Sequence, residues 1–248
     1  MRHPDRTETI AISLDEVTRC LASRISLYQW RRPTYQAALF RALARVWDPR
    51  HKRVLDVGGG TGVVAQTVKD LFPVDRVVSI DVAHRYLEGL DIETGIYNGR
   101  TLPFDNGQFD CVMLCNVLHH VPKDIRVPLL KECGRIANTL YIKDHLAESP
   151  LDHLRLTVLD LIGNVPFGGM TKASYLARAE WLTLAEQAGF RITQWQDEIY
   201  RGRAASWIFP NRLEVFMRWT RGFGREDMDV RIAKLRSFSD GHRRDGRS

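Results

Sequence analysis

At 248 residues the chain is long enough for one sizeable α/β domain, and its 44% hydrophobic and 27% charged residues are ordinary for a globular fold. No run approaches the roughly 18 apolar residues of a membrane span, and the opening MRHPDRTETIAISLDEVTRC lacks a secretory apolar core, so a cytoplasmic protein with no membrane association is expected. The net charge of +6 sits at one end: residues 1–200 balance 24 basic against 24 acidic residues, whereas residues 201–248 carry 12 against 6.

Residues 14–47 read as two helical pieces broken near Arg32-Pro33, where a proline can start the second. In that second piece Ala37, Ala38, Phe40, Leu43, Ala44 and Trp47 recur on one face. Arg53 to Val57 is a short apolar run ending in glycines, the pattern of a buried strand. A helix over Thr61 to Leu71, a strand over Asp75 to Val82, a helix near His84 to Leu90 and a weaker strand over Thr94 to Tyr97 follow. Phe109 to Cys115 is the next strand, Pro122 to Asn138 a helix, and Thr139 to Lys143 a fifth strand. Residues 146–174 interrupt the alternation with the helical LDHLRLTVLDLIGN and the glycine-rich turn FGGM. Leu151, Leu154, Val158, Leu161 and Ile162 recur there at helical spacing and are expected in the core. The alternation resumes with a helix over Ala179 to Gly189 and a strand over Phe190 to Trp195. A last strand is expected over Ala204 to Phe209 and a final helix over Arg212 to Thr220.

Strands alternating with helices imply a doubly wound, mostly parallel, seven-stranded sheet with helices on both faces. The expected organisation is an N-terminal helical cap (1–48), a core (49–211) carrying the 146–174 insertion as a helical lid and acceptor pocket, and a basic C-terminal helix and tail (212–248). Cys20, Cys111, Cys115 and Cys133 form no CxxC pair and no cluster with zinc spacing, so neither metal nor disulfide is expected.

The most informative segment is Asp56-Val57-Gly58-Gly59-Gly60-Thr61-Gly62, a strand feeding a glycine turn with a helix behind it. Glycines let a ligand lie on bare backbone, and the helix start offers unpaired N–H groups. Asp81 ends the second strand, where a carboxylate can accept both hydroxyls of a ribose. A nucleoside cofactor follows from this arrangement. Gly60, Gly62 and Ala65 also satisfy a dinucleotide fingerprint, but Asp56 would face a pyrophosphate unfavourably and would suit a cationic amino-acid group.

The spaced motif Asp56-x-Gly58-x-Gly60-x-Gly62 resembles the first motif of the class I S-adenosylmethionine-dependent methyltransferases, and Asp81 matches their acidic residue on the second strand. Leu102-Pro103-Phe104 through Phe109-Asp110, and Asn116-Val117-Leu118-His119-His120, are similar to the blocks around their fourth strand, in the subgroup acting on small molecules. The resemblance covers about residues 50–145. It implies a Rossmann-like fold and S-adenosylmethionine as cofactor: Gly58, Gly60, Thr61 and Gly62 beside the methionine part, Asp56 on its amino group, and Asp81 on the ribose. Asn98 stands where the family often has an aspartate near adenine, Gly99 follows it, and Cys115 and Asn116 lie beside the cofactor. Methyl transfer to a small-molecule acceptor through an oxygen, nitrogen or carbon nucleophile is implied. His119 and His145 are the candidate bases, with Asp144 as orienting group, because all three are expected beyond strand ends; His120 reads as scaffold. The alternatives are an RNA-modifying methyltransferase using the basic C-terminal segment, a non-catalytic S-adenosylmethionine-binding regulator and, more distantly, a nicotinamide-dependent oxidoreductase.

Overall fold

A computed structural model describes residues 10–164, 172–197 and 207–222. The elements in chain order are α1 (Leu14–Ala22), a 3-10 turn (Ser26–Gln29), α2 (Thr34–Val46), β1 (Arg53–Val57), α3 (Val63–Leu71), β2 (Arg76–Asp81) and β3 (Glu93–Ile96). They continue with β4 (Cys111–Cys115), α4 (Lys123–Ile136), β5 (Thr139–His145), α5 (Pro150–Asn164), α6 (Arg178–Gln187), β6 (Phe190–Asp197), a 3-10 turn (Asn211–Leu213) and β7 (Glu214–Arg221). Seven strands form one sheet in the order β3-β2-β1-β4-β5-β7-β6, parallel throughout except for β7, which runs antiparallel to both β5 and β6.

The alternation of side chains along each strand sorts the core into two layers. On one face Leu55, Val78, Val112, Leu140 and Met217 pack with Leu129, Leu130 and Cys133 of α4 and Trp181 and Leu184 of α6. On the other, Val54, Val77, Met113, Tyr141 and Phe216 pack with Val17, Leu21, Phe40, Leu43, Ala65 and Val68 of α1, α2 and α3. Residues 1–48, expected as a cap, thus supply α1 and α2 to the same core as α3. Ser13 starts α1 with a capping box: its hydroxyl accepts from Glu16 N while Glu16 accepts from Ser13 N.

Three expectations are corrected. Residues 82–92 form an irregular loop rather than a helix near His84 to Leu90, folded back so that Tyr86 Oη donates to Ser79 O at 2.9 Å and Leu87 N to Thr61 O at 3.1 Å. The expected helix over Arg212 to Thr220 is strand β7, so the core runs on past residue 211. Val215, Met217 and Trp219 alternate onto one face of the sheet and Phe216 onto the other; this two-residue period, with antiparallel partners on both sides, decides the conformation. Trp207 and Ile208 are helical and Phe209 lies in a bend, whereas residues 204–206 of the expected strand, the FGGM turn and most of the basic tail lie outside the described residues.

Helix α5 also packs the other way round. Leu151, Leu154, Val158 and Leu161 are 53%, 61%, 42% and 53% exposed, while Asp152, Leu156 and Asp160 face inward. Polar partners explain the choice: Arg212 donates to both Asp152 oxygens at 2.7 Å, and Tyr175 Oη donates to Asp160 at 2.7 Å. Charge-assisted contacts of this kind hold the aspartate face of the helix inward. Among the described residues no helix is long and apolar enough to cross a membrane.

Trp219 is fully buried and meets Trp181 edge-on at 6.2 Å between ring centroids. Trp219→Ala is expected to lower stability by about 3–5 kcal/mol in urea unfolding. A change below about 0.5 kcal/mol, the size typical of surface sites, would mean that residues 214–221 do not form a buried strand.

Candidate functional site

The site begins where β1 stops. Gly58, Gly60 and Gly62 take φ values of +77°, +57° and +77°, which favour glycine. Gly58 N and Gly59 N both donate to Ile80 O, at 2.7 and 3.2 Å, and so hold the turn against the end of β2. A Cβ on Gly59 would lie 1.8 Å from Ser79 Oγ and 2.6 Å from Asp56 Oδ2, so no larger residue fits there without rearrangement. A Cβ on Gly60 would meet nothing within 4 Å: the turn faces open space on that side.

That space is a cavity of about 540 Å³. Gly58, Gly60 and Thr61 form one wall and Asp81, Asn98 and Gly99 another, with Cys115, Asn116 and His120 at the end of β4. Of the expected cofactor residues, Asp56 and Gly62 stand behind the turn. Asp81 presents its carboxylate at the strand end, where Oδ2 accepts from Gly60 N at 2.8 Å and Oδ1 from Ala83 N and Arg85 Nη2, both at 3.1 Å. Asp56 is fully buried and accepts from Ser79 Oγ at 2.9 Å. Burial pushes its carboxyl up to about 7, against the lowering effect of that hydrogen bond and with help from nearby Asp81. Asn98 Oδ1 accepts from Arg100 N at 2.9 Å and Thr101 N at 2.8 Å, so the amide oxygen expected near adenine is taken up by its own turn. Cys115 lines the cavity, and burial pushes its thiol well above the ordinary range. Asn116 has φ +59°, and its Oδ1 accepts from Lys143 Nζ.

Behind the β4 end lies a buried polar network. His119, Asp144 and His145 were expected beyond strand ends, but β5 extends through His145, and Asp144 and His145 pair with Val215 and Glu214 of β7. None of the three lines the cavity described above. His119 Nδ1 lies 2.5 Å from Asp144 Oδ1, and its Nε2 lies 3.3 Å from Asp160 Oδ2. His145 Nε2 lies 3.4 Å from Asp160 Oδ1 and its Nδ1 3.3 Å from Glu214 Oε2, which also pairs with Lys143 Nζ at 2.5 Å. Asp144 accepts in addition from Leu118 N at 3.0 Å and His145 N at 2.7 Å. Burial alone would push the His119 imidazole down, but Asp144 and then Asp160 outweigh it and hold the ring up to about 9. Burial raises Asp144, Asp160 and Glu214, yet their cationic neighbours bring each net below its ordinary value.

His120, read as scaffold from sequence, is the histidine on the cavity wall. Its ring sits 4.0 Å from that of His119, and its Nδ1 is held by Lys172 O at 2.9 Å. Lys143 and Glu214 are not singled out by sequence reasoning, whereas Asp160 falls in the insertion read as the acceptor pocket and stands in the buried network instead. Glu214 is recoverable only once residues 214–221 are read with a two-residue period.

The sequence matches the family described as "Methyltransferase domain" over residues 29–195. Among curated relatives, it is 27% identical over 152 residues to the norreticuline-7-O-methyltransferase of Papaver somniferum, covering 58% of this chain and 41% of that protein. It is 23% identical over 183 residues to the ubiquinone biosynthesis O-methyltransferase of Neisseria meningitidis, covering 68% and 76%. The chain therefore spans about two-fifths of the first relative and three-quarters of the second. Among solved structures, the magnesium protoporphyrin IX methyltransferase of Synechocystis, which holds bound SAH, superposes with a TM-score of 0.52 at 16% identity, covering 88% of this chain and 98% of that one. At that identity the likeness concerns the fold.

Two outcomes follow from the site's geometry. Gly60→Ala places a methyl group in the open cavity at a strained φ costing about 1–3 kcal/mol. Its fold is expected to survive, with the melting transition still cooperative, while affinity for a nucleoside cofactor falls at least about tenfold, a loss of roughly 1.4 kcal/mol. Unchanged affinity would remove the turn from the binding surface. Asp56 carries a folded-state value of about 7, above the roughly 3.9 of an unfolded aspartate. Its contribution to stability is thus complete below about pH 4 and is lost as pH rises toward 7. The stability of wild type relative to Asp56→Asn, measured by urea unfolding, should fall across that window; a gap that stays constant or widens contradicts the assignment.

Proposed function

We propose, on the premise that the chain belongs to the methyltransferase-domain family and takes S-adenosylmethionine as cofactor, that it transfers the sulfonium methyl group to a small-molecule acceptor, with oxygen as the receiving atom. One observation carries the reading: a single cavity joins the glycine turn and the Asp81 carboxylate to the end of β4, where His120 and Asn116 stand. The placement agrees with the rule that ligands of open parallel sheets lie beyond the carboxyl ends of the strands. The two relatives described above, both O-methyltransferases by name, favour oxygen over nitrogen or carbon.

Methyl transfer from a sulfonium is an in-line displacement in which the acceptor oxygen forms a bond to the methyl carbon as the carbon–sulfur bond breaks. The cofactor brings both electrophile and leaving group, so the protein's part is alignment and exclusion of water. Gly58, Gly60 and Thr61 offer bare backbone to the methionine part. Asp56, with Ser79 as its donor, supports the turn from behind the place of the amino group. Asp81 exchanges its contacts with Gly60 N and Arg85 for the two ribose hydroxyls. Asn98 shapes the loop through Gly99 rather than accepting from adenine with its oxygen. The acceptor lies against Asn116 and His120. His119, Asp144 and His145, proposed from sequence as catalytic, act here as positioning residues: Asp144 ties Leu118, His119 and His145 together, and so sets the backbone from which His120 projects.

The test is to incubate the protein with methyl-labelled S-adenosylmethionine and a panel of hydroxylated aromatics and carboxylic acids, with total RNA as a separate arm. Label is expected in a low-molecular-weight product, reduced at least about tenfold in Asp81→Asn, the loss of roughly one good interaction. Label confined to RNA, or incorporation indifferent to Asp81, contradicts the reading.

A further inference from the structure

His119, His120 and Asp160 bring three ligand atoms within 4.8 Å of one another at the border between the cavity and the buried network. From this juxtaposition we propose that the chain binds a divalent transition-metal ion of the zinc or cobalt type between the two histidines and the aspartate. The inference goes beyond methyl transfer and does not depend on it. No cysteine cluster or familiar zinc spacing announces the site in the sequence, because its third ligand lies forty residues further on, across the fold.

The geometry suits such an ion on three counts. Bonds of about 2.0–2.1 Å to a tetrahedral metal put neighbouring ligand atoms roughly 3.3 Å apart, and His119 Nε2 lies 3.3 Å from Asp160 Oδ2. That nitrogen is buried and faces the carboxylate without meeting it in a well-formed hydrogen bond. Both histidines are oriented as metal-binding histidines usually are, with the other ring nitrogen held by a carboxylate or carbonyl: Asp144 Oδ1 holds Nδ1 of His119 at 2.5 Å and Lys172 O holds Nδ1 of His120 at 2.9 Å. The half-buried ring of His120 completes the set, with its ligand atom within 4.8 Å of the other two.

Charge points the same way. The carboxylates of Asp144 and Asp160 converge on His119 and His145, so the cluster gathers negative charge that a cation would meet. An ion ties α5, through Asp160, to the loop after β4, and so couples the helix over the site to the cavity wall. Two imidazoles with one carboxylate favour a borderline transition metal over magnesium or calcium, which prefer all-oxygen shells.

The test uses the full chain, stripped with a chelator and titrated with cobalt(II) as the spectroscopic probe. One equivalent is expected to bind and to give visible absorption bands that excess magnesium does not remove. Affinity should fall at least about tenfold in His120→Ala and in Asp160→Asn, and zinc should raise the melting temperature of the wild type but not of His120→Ala. Cobalt binding equal in wild type and His120→Ala, with both folded by circular dichroism, overturns the proposal. Asp160→Asn touches a buried network; if it fails to fold, His120→Ala, on a half-buried ring, decides the matter alone.

Discussion

The structure depends on how closely the turn after β1 approaches the end of β2. Two amides, of Gly58 and Gly59, share the Ile80 carbonyl, and a third, of Gly60, donates to Asp81. The approach leaves no room for a side chain at Gly59, where Ser79 and Asp56 already meet. Because β1 and β2 are neighbouring parallel strands in register from Arg53 to Val57, fixing this contact fixes both the backbone donors and the Asp81 carboxylate relative to each other. The place of the cavity is thus a consequence of strand pairing.

A second constraint sits behind the first. β7 reverses direction between β5 and β6 and brings Glu214 beside Lys143 and His145. Lys143 in turn reaches Asn116, the non-glycine residue with a left-handed backbone at the cavity's edge. Buried charge of this kind is costly to form and strongly destabilising to break at one partner. Its return is positional: through Lys143 it holds Asn116 at the end of β4. The same network gives α5 its orientation, with aspartates inward and leucines outward.

Much of this was legible in the sequence, for identifiable reasons. The glycine turn, Asp81 and strands β1, β2, β4 and β5 announce themselves because buried parallel strands are continuous apolar runs and left-handed turns demand glycine; β3, mostly exposed, is marked only weakly. Residues 214–221 misled because Glu214, Arg218 and Arg221 break the apolar run in a way that imitates a polar helix face; only the partners on either side select the strand. That misreading propagated. Without β7, Asp144 and His145 look exposed at the end of β5, whereas they are covered by it. The facing of α5 was unreadable from hydrophobic spacing, since Arg212 and Tyr175, which draw Asp152 and Asp160 inward, are distant in sequence. His119 and His120 are adjacent, and sequence alone does not say which turns to the cavity.

The central claim is that the turn at 58–62 and the carboxylate of Asp81 together cradle an adenosyl sulfonium compound. The most direct measurement is isothermal titration calorimetry of the folded wild-type chain with S-adenosylhomocysteine, run against the same titration with NADH. The account predicts one equivalent of S-adenosylhomocysteine bound with micromolar or tighter affinity, about −8 kcal/mol, and no comparable heat from NADH. Absence of S-adenosylhomocysteine binding, or preferential binding of the dinucleotide, would contradict it.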